Sequence, residues 1–137
     1  MKRFRNTPIL CAVIILAGLA AVALGVTTTV AIYTSALTGT TLTRTNIGPG
    51  TTYDFLNTGR EMLIVENESD TTTATLTIVT GATMSDLAVA DQAVTVVPNA
   101  ILAIGGLPPS TFNPTGNLQL TVATTTCTLM VVKFKSN

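Results

Sequence analysis

The stretch Thr73–Thr80, Thr-Ala-Thr-Leu-Thr-Ile-Val-Thr, alternates polar and apolar side chains with a period of two. That period belongs to a strand with one wet face and one dry face, and it turns Ala74, Leu76 and Ile78 inward and Thr75 and Thr77 outward. The pattern recurs from Val26 onward, broken by turn residues at intervals of about 8–12 positions, as in a sandwich or barrel. The spacing predicts strands over Thr28–Thr34, Thr40–Thr45, Thr52–Leu56, Glu61–Asn67, Thr73–Thr80, Ala93–Val97, Ile101–Ile104, Leu118–Val122 and Thr128–Phe134. Turns are expected at Gly48-Pro49-Gly50, Asn57-Thr58-Gly59, Asn67–Asp70 and Pro98-Asn99, with a longer connection carrying Gly81 and Asp86. Gly105–Pro109 must be loop, because proline donates nothing to a ladder and restricts the residue before it. About a fifth of the residues are threonine, whose branched Cβ suits half-buried strands. The expectation is an all-β domain over 27–137, an antiparallel, jelly-roll-like β-sandwich without a confident helix.

The first 26 residues read differently. Lys2, Arg3 and Arg5 precede an uncharged run from Pro8 to Val26. A run of that kind approaches the ~20 residues that a helix needs to cross a bilayer. It also has the basic, apolar and small-residue regions of a secretory signal, with A-x-A-like sites near Ala21-Val22-Ala23 and Ala23-Leu24-Gly25. Residues 1–26 are therefore expected to form a hydrophobic α-helix, either a cleaved signal peptide or a retained anchor meeting the membrane through residues 8–26. A buried structural helix is the third option. In the first two cases the basic flank stays in the cytoplasm and the domain is exported, to the extracellular space, a cell surface or a virion.

Charge and residue types narrow the chemistry. The chain carries seven basic and seven acidic residues, but three of the bases lie in the leader, leaving 4 − 7 = −3 on the domain. A mildly acidic domain does not supply the basic surface that nucleic acid requires. With charged residues at only 10% and a mean hydropathy of +0.54, solubility must rest on hydroxyls and amides. There is no histidine, which removes the commonest general base and metal ligand. Cys11 lies in the apolar run and Cys127 in an expected strand, so a disulfide is not expected and a Cys-based zinc site is excluded. Cys127 reads as a buried small hydrophobe, or as an intermolecular link if it stands at an edge. Glu66, Glu68 and Asp70 read as a solvated turn. Asp86 and Asp91 flank an apolar stretch and read as turn caps, with loop-bound calcium as the sharper alternative. No cofactor is expected, nor an enzyme.

Four blocks then carry a likeness. They are Phe55-Leu56-Asn57-Thr58-Gly59-Arg60-Glu61-Met62-Leu63-Ile64-Val65-Glu66-Asn67; Asp86–Val96; Ile104-Gly105-Gly106-Leu107-Pro108-Pro109-Ser110-Thr111-Phe112-Asn113; and the closing Val131-Val132-Lys133-Phe134. In this order and spacing, from about Thr28 to Phe134, the chain resembles small tailed-phage virion proteins described as head decoration or minor capsid proteins. It departs from them in reading Gly-Gly-Leu-Pro-Pro where Gly-Pro-Phe-Pro is commoner, and in its export-type leader. The leader fits better with a membrane-bearing virion, a prophage-derived surface protein or an extracellular filament subunit. The resemblance implies that Arg60 pairs with a carboxylate or backbone carbonyls to fix the Asn57-Thr58-Gly59 turn. It also implies that Phe112 and Asn113 anchor the proline loop onto the sandwich end. Asn57, Arg60, Asn67, Asp86, Asp91, Phe112 and Asn113 are thus the candidate fold or interface anchors.

The functional expectation is a non-enzymatic structural subunit, virion-associated or extracellular, whose partners are copies of itself or a capsid or surface lattice. The alternative is an exported, membrane-tethered binding or adhesion domain.

Overall fold

The computed structural model describes residues 26–36, 38–113 and 115–135. The expected N-terminal helix and membrane segment lie outside the described residues, apart from Val26. Twelve strands and one helical turn follow in order: β1 (Val26–Thr29), β2 (Ile32–Thr34), β3 (Thr45–Ile47), β4 (Thr51–Phe55), β5 (Glu61–Glu66), β6 (Ala74–Ile78), β7 (Thr83–Met84), β8 (Leu87–Ala88), β9 (Gln92–Val96), β10 (Ile101–Ile104), α1 (Pro109–Phe112), β11 (Leu118–Ala123) and β12 (Cys127–Lys133).

These strands form two five-stranded sheets and a small hairpin. The first sheet runs β1-β4-β11-β6-β9. The second runs β10-β5-β12-β2, with β3 also paired to β12, and β7 pairs only with β8. The chain is therefore all-β and sandwich-like, but its sheets are mixed rather than antiparallel. β1 runs parallel to β4, and β2 runs parallel to β12. Parallel neighbours cannot be joined by a tight hairpin. Here the chain between β1 and β4 passes through the other sheet as β2 and β3.

The core is where the two inner faces meet. Alternation along each long strand supplies it: Tyr53 and Phe55 from β4, Leu63 and Val65 from β5, and Ala74, Leu76 and Ile78 from β6. Leu118, Leu120 and Val122 come from β11, and Cys127, Leu129 and Val131 from β12; all are buried. Burying a side chain of this size contributes about 1.5–3 kcal/mol each. The register keeps the inner positions opposite one another, with Leu129 facing Val65 and Leu120 facing Ile78. A slip of one residue in β5 would turn Leu63 and Val65 out and Met62 and Ile64 in, so the register is fixed by burial.

Three expected segments differ. Thr28–Thr34 is not one strand, because the chain leaves β4 after Val30, whose N–H donates to Asp54 O at 2.8 Å, and joins β12 at Ile32. Thr40–Thr45 is loop up to Arg44. β2 already occupies residues 131–133 on that edge of β12, leaving residues 127–129 for the short β3. The long connection after Ile78 contains the β7–β8 hairpin. Ser85 (φ 51°) and Asp86 (φ 64°) form its two-residue turn, both left-handed as a type I′ turn requires.

Candidate interaction surface

Both ends of β5 are closed by an asparagine. At its C-terminal end Asn67 is fully buried. Its Nδ2 donates to Thr72 O (2.8 Å) and Val96 O (3.0 Å), and its Oδ1 accepts the N–H of Ser69 (3.1 Å). At the opposite end Asn57 repeats the device. Its Nδ2 donates to Leu107 O and to Asn113 Oδ1, both at 2.9 Å, and its Oδ1 accepts the N–H of Gly59 at 3.0 Å. An asparagine that accepts from the residue two ahead makes a side-chain turn, which suits this residue type at strand ends.

The Asn57 end holds more. Asn113 Nδ2 returns a bond to Asn57 O at 2.9 Å, tying the α1 loop to the β4–β5 turn. Phe112 packs against the core from the same loop. Gly59 (φ +83°) lies so close to α1 that a Cβ there would stand 3.1 Å from Pro109 Cδ. Glu61 lies beneath this turn, its side chain only 1% exposed. Its carboxylate accepts the Thr58 N–H (2.6 Å), the Thr58 hydroxyl (2.8 Å) and the Arg60 N–H (3.0 Å), with Lys133 Nζ at 3.4 Å. Burial pushes the Glu61 carboxyl up, but the Thr58 N–H and hydroxyl, the Arg60 N–H and Lys133 together outweigh it and hold it below the ordinary carboxylate value.

No family model, curated protein or solved structure matches this chain.

The fixing role expected of Arg60 therefore falls to Glu61. Among the described residues the Arg60 guanidinium makes no ion pair, and only its backbone takes part, its N–H on Glu61 and its carbonyl accepting from Phe134 N at 3.2 Å. Sequence reasoning missed Glu61, although it falls on the inward parity of Leu63 and Val65. An acid on the core side of a strand is the signal that could have found it. Asp91 pins the root of the hairpin by accepting from Thr80 N at 2.9 Å. Asp86 stands in the exposed turn. Among the described residues no group of three or more acids, cysteines or histidines gathers to hold a metal. Cys127 is buried in β12, and burial, with a smaller push from Glu68, raises its thiol pKa.

The outer faces of the two sheets are unlike. On the first sheet the register lines up Thr27, Thr52, Thr121, Thr77 and Ala93 across all five strands. The second sheet turns outward Met62 and Ile64 from β5, Met130 and Val132 from β12, Ala103 from β10 and Tyr33 from β2. Arg44 reaches over the far end of that face, its Nη1 2.9 Å from Glu66 Oε2 and 3.3 Å from Glu68 Oε1. The Arg44–Glu68 pair is exposed and contributes little to stability, whereas Glu66 is half-buried.

Proposed function

We propose that this protein is a non-enzymatic structural subunit, virion-associated as a capsid-decoration or minor structural protein, or part of an extracellular assembly, and that it acts through protein–protein contacts. The observation that carries the reading is where the apolar surface lies. Leu87 and Val89 on the hairpin, Val26, Val97 and Ile101 in or beside the edge strands, Leu56 in the β4–β5 turn and Phe134 after β12 are exposed, while the buried asparagines and Glu61 are consumed in holding loops. Exposed apolar groups of this kind gain from a protein neighbour. The jelly-roll-like form rests on the number and spacing of the short strands, and the virion setting on the resemblance of the four sequence blocks. Export rests on the leader, and the absence of nucleic-acid binding on the domain's net −3.

The test is sedimentation velocity and negative-stain microscopy of the native protein, with its intact mass. Rings, filaments or shells support the subunit. A strict monomer at micromolar concentration overturns it. The tethered-binder reading is favoured by the uncharged run Pro8–Val26. It expects an intact mass that retains the leader and a domain that stays monomeric.

A further inference from the structure

The β7–β8 hairpin is built as an arm. Its root is fixed on both sides: Thr80 N–H donates to Asp91 Oδ1 at 2.9 Å, Thr80 Oγ1 to Val89 O at 2.6 Å, and Gly81 N–H to Thr111 O at 2.9 Å. Beyond the root it pairs with neither main sheet. Leu87 is 73% exposed and Val89 37%, in a chain whose long strands bury their inward leucines completely. An isolated two-stranded hairpin is marginal in water, and this one holds two non-glycine residues left-handed at its tip. Such a finger gains stability when its apolar side is covered.

The same end of the sandwich carries a matching surface. Phe134 is 50% exposed. It is bonded through its N–H to Arg60 O, and Lys135 N–H donates to Ser35 Oγ alongside. Arg60 and Lys135 make no ion pair among the described residues, whereas Lys133 is committed to Glu61. The hairpin tip carries Asp86. The elements across this end follow one another by direct contact. The hairpin root bonds α1 through Gly81 and Thr111, α1 abuts Gly59 through Pro109, and the Gly59 turn bonds Phe134 through Arg60. The acidic, apolar arm and the basic, apolar patch thus stand at the two ends of a run of contacts through α1.

Resting on the subunit reading above, we infer that the arm docks onto the Arg60–Phe134–Lys135 patch of a second copy. Leu87 and Val89 cover Phe134, while Asp86 faces Arg60 and Lys135. The two surfaces differ, so the contact is head-to-tail and repeats sideways, giving a ring if the rotation closes and a row if it does not. Opposite charge at its rim steers the encounter and makes assembly salt-sensitive.

The test uses full-length protein in mild non-ionic detergent, with Cys11→Ser in every variant. Leu87→Cys and Phe134→Cys are made in separate chains, mixed and oxidised. The expected result is a disulfide between the two different chains, with same-variant pairs at background. Leu87→Asp is expected to shift sedimentation to monomer while the circular dichroism spectrum keeps its strand signature, and to lower the thermal midpoint to that of the unassembled chain. Lys135→Glu is expected to weaken assembly, and Asp86→Asn to remove most of its salt dependence. An oligomeric native protein with no mixed disulfide, or with same-variant pairs dominant, overturns the arm and leaves the subunit reading standing. A native protein that is monomeric throughout overturns the subunit reading itself.

Discussion

The two ends of β5 use the same turn device in different electrostatic settings. Asn57 and Asn67 each donate twice through Nδ2 and accept once from the residue two ahead. At the Asn67 end the fully buried polar side chain is the neutral amide, while Arg44 and Glu68 are exposed and Glu66 is half-buried. At the Asn57 end a carboxylate lies under the turn, with Lys133 as its counter-ion. A neutral amide closes a loop at any pH, whereas a buried carboxylate closes it only while ionised. The charged end is also the one that carries the hairpin and the basic patch.

The largest effect is expected at Glu61. Glu61→Ala leaves two backbone N–H groups, a hydroxyl and Lys133 without their acceptor, and should cost about 3 kcal/mol. Urea denaturation should show this as a lower midpoint at unchanged slope. The same group sets an acid limb. Its folded pKa is depressed, so the stability it contributes is present above the unfolded carboxyl value and is lost as pH falls through the folded one. Stability should therefore decline below about pH 4.3, the ordinary glutamate value. Glu61→Gln should flatten that limb. A limb equally steep in the glutamine variant would show that Glu61 is not its source, and the contrast between the ends would fail.

Asn67→Ala should cost somewhat less, about 2 kcal/mol, because it orphans two carbonyls and one N–H but no charge. The loss should stay constant from pH 3 to pH 7 in chemical denaturation. A pH-dependent loss would mean that the Asn67 turn does not close independently of charge, and the two ends would be less distinct.

How far the sequence carries the fold differs from strand to strand. β5 and β6 are legible because strict alternation, Leu63-Val65 and Ala74-Leu76-Ile78, names both the strand and its inner face. Thr28–Thr34 alternates equally well, but alternation is blind to which partner a strand has, and the crossing at Val30–Ala31 follows from where β4 and β12 run. Thr40–Thr45 fails for a related reason, since β2 already holds 131–133 of β12 and the following strand pairs only with 127–129. The hairpin is hidden because Ser85-Asp86 lacks the Gly or Asn that normally marks a type I′ turn. At the site, Asn57, Phe112 and Asn113 stand in or beside loops whose turn residues are plain, while Glu61 is hidden in an apolar strand, its local donors Thr58 and Arg60 being mostly backbone groups and its counter-ion Lys133 lying 72 positions away in sequence.

Gly59→Ala probes the α1 end without touching any charge. At φ +83° a side chain is strained, and the new Cβ would press on Pro109. A cost of about 1–2 kcal/mol is expected from the backbone alone. Amide exchange should accelerate at Gly59 and Asn113 and stay unchanged at Ser69. Equal acceleration at both ends would show that β5 transmits the strain and that the ends open together.

The smallest effect belongs to Cys127, beside the Asn67 end in β12. Burial, and secondarily Glu68, raise its thiol pKa, so the folded state holds the proton more tightly than the unfolded chain. The stability this contributes is fully present below the unfolded thiol value of about 8.5 and is lost as pH rises through the folded one. A shallow alkaline limb should therefore appear, opposite in direction to that of Glu61. Cys127→Ala should lower stability at neutral pH by about 1 kcal/mol through lost packing, and should remove the limb above about pH 8.5. With Glu61→Gln in the same chain, stability should become nearly flat at both extremes. The two residues lie at opposite ends of the sandwich and share no partner, so their effects should add.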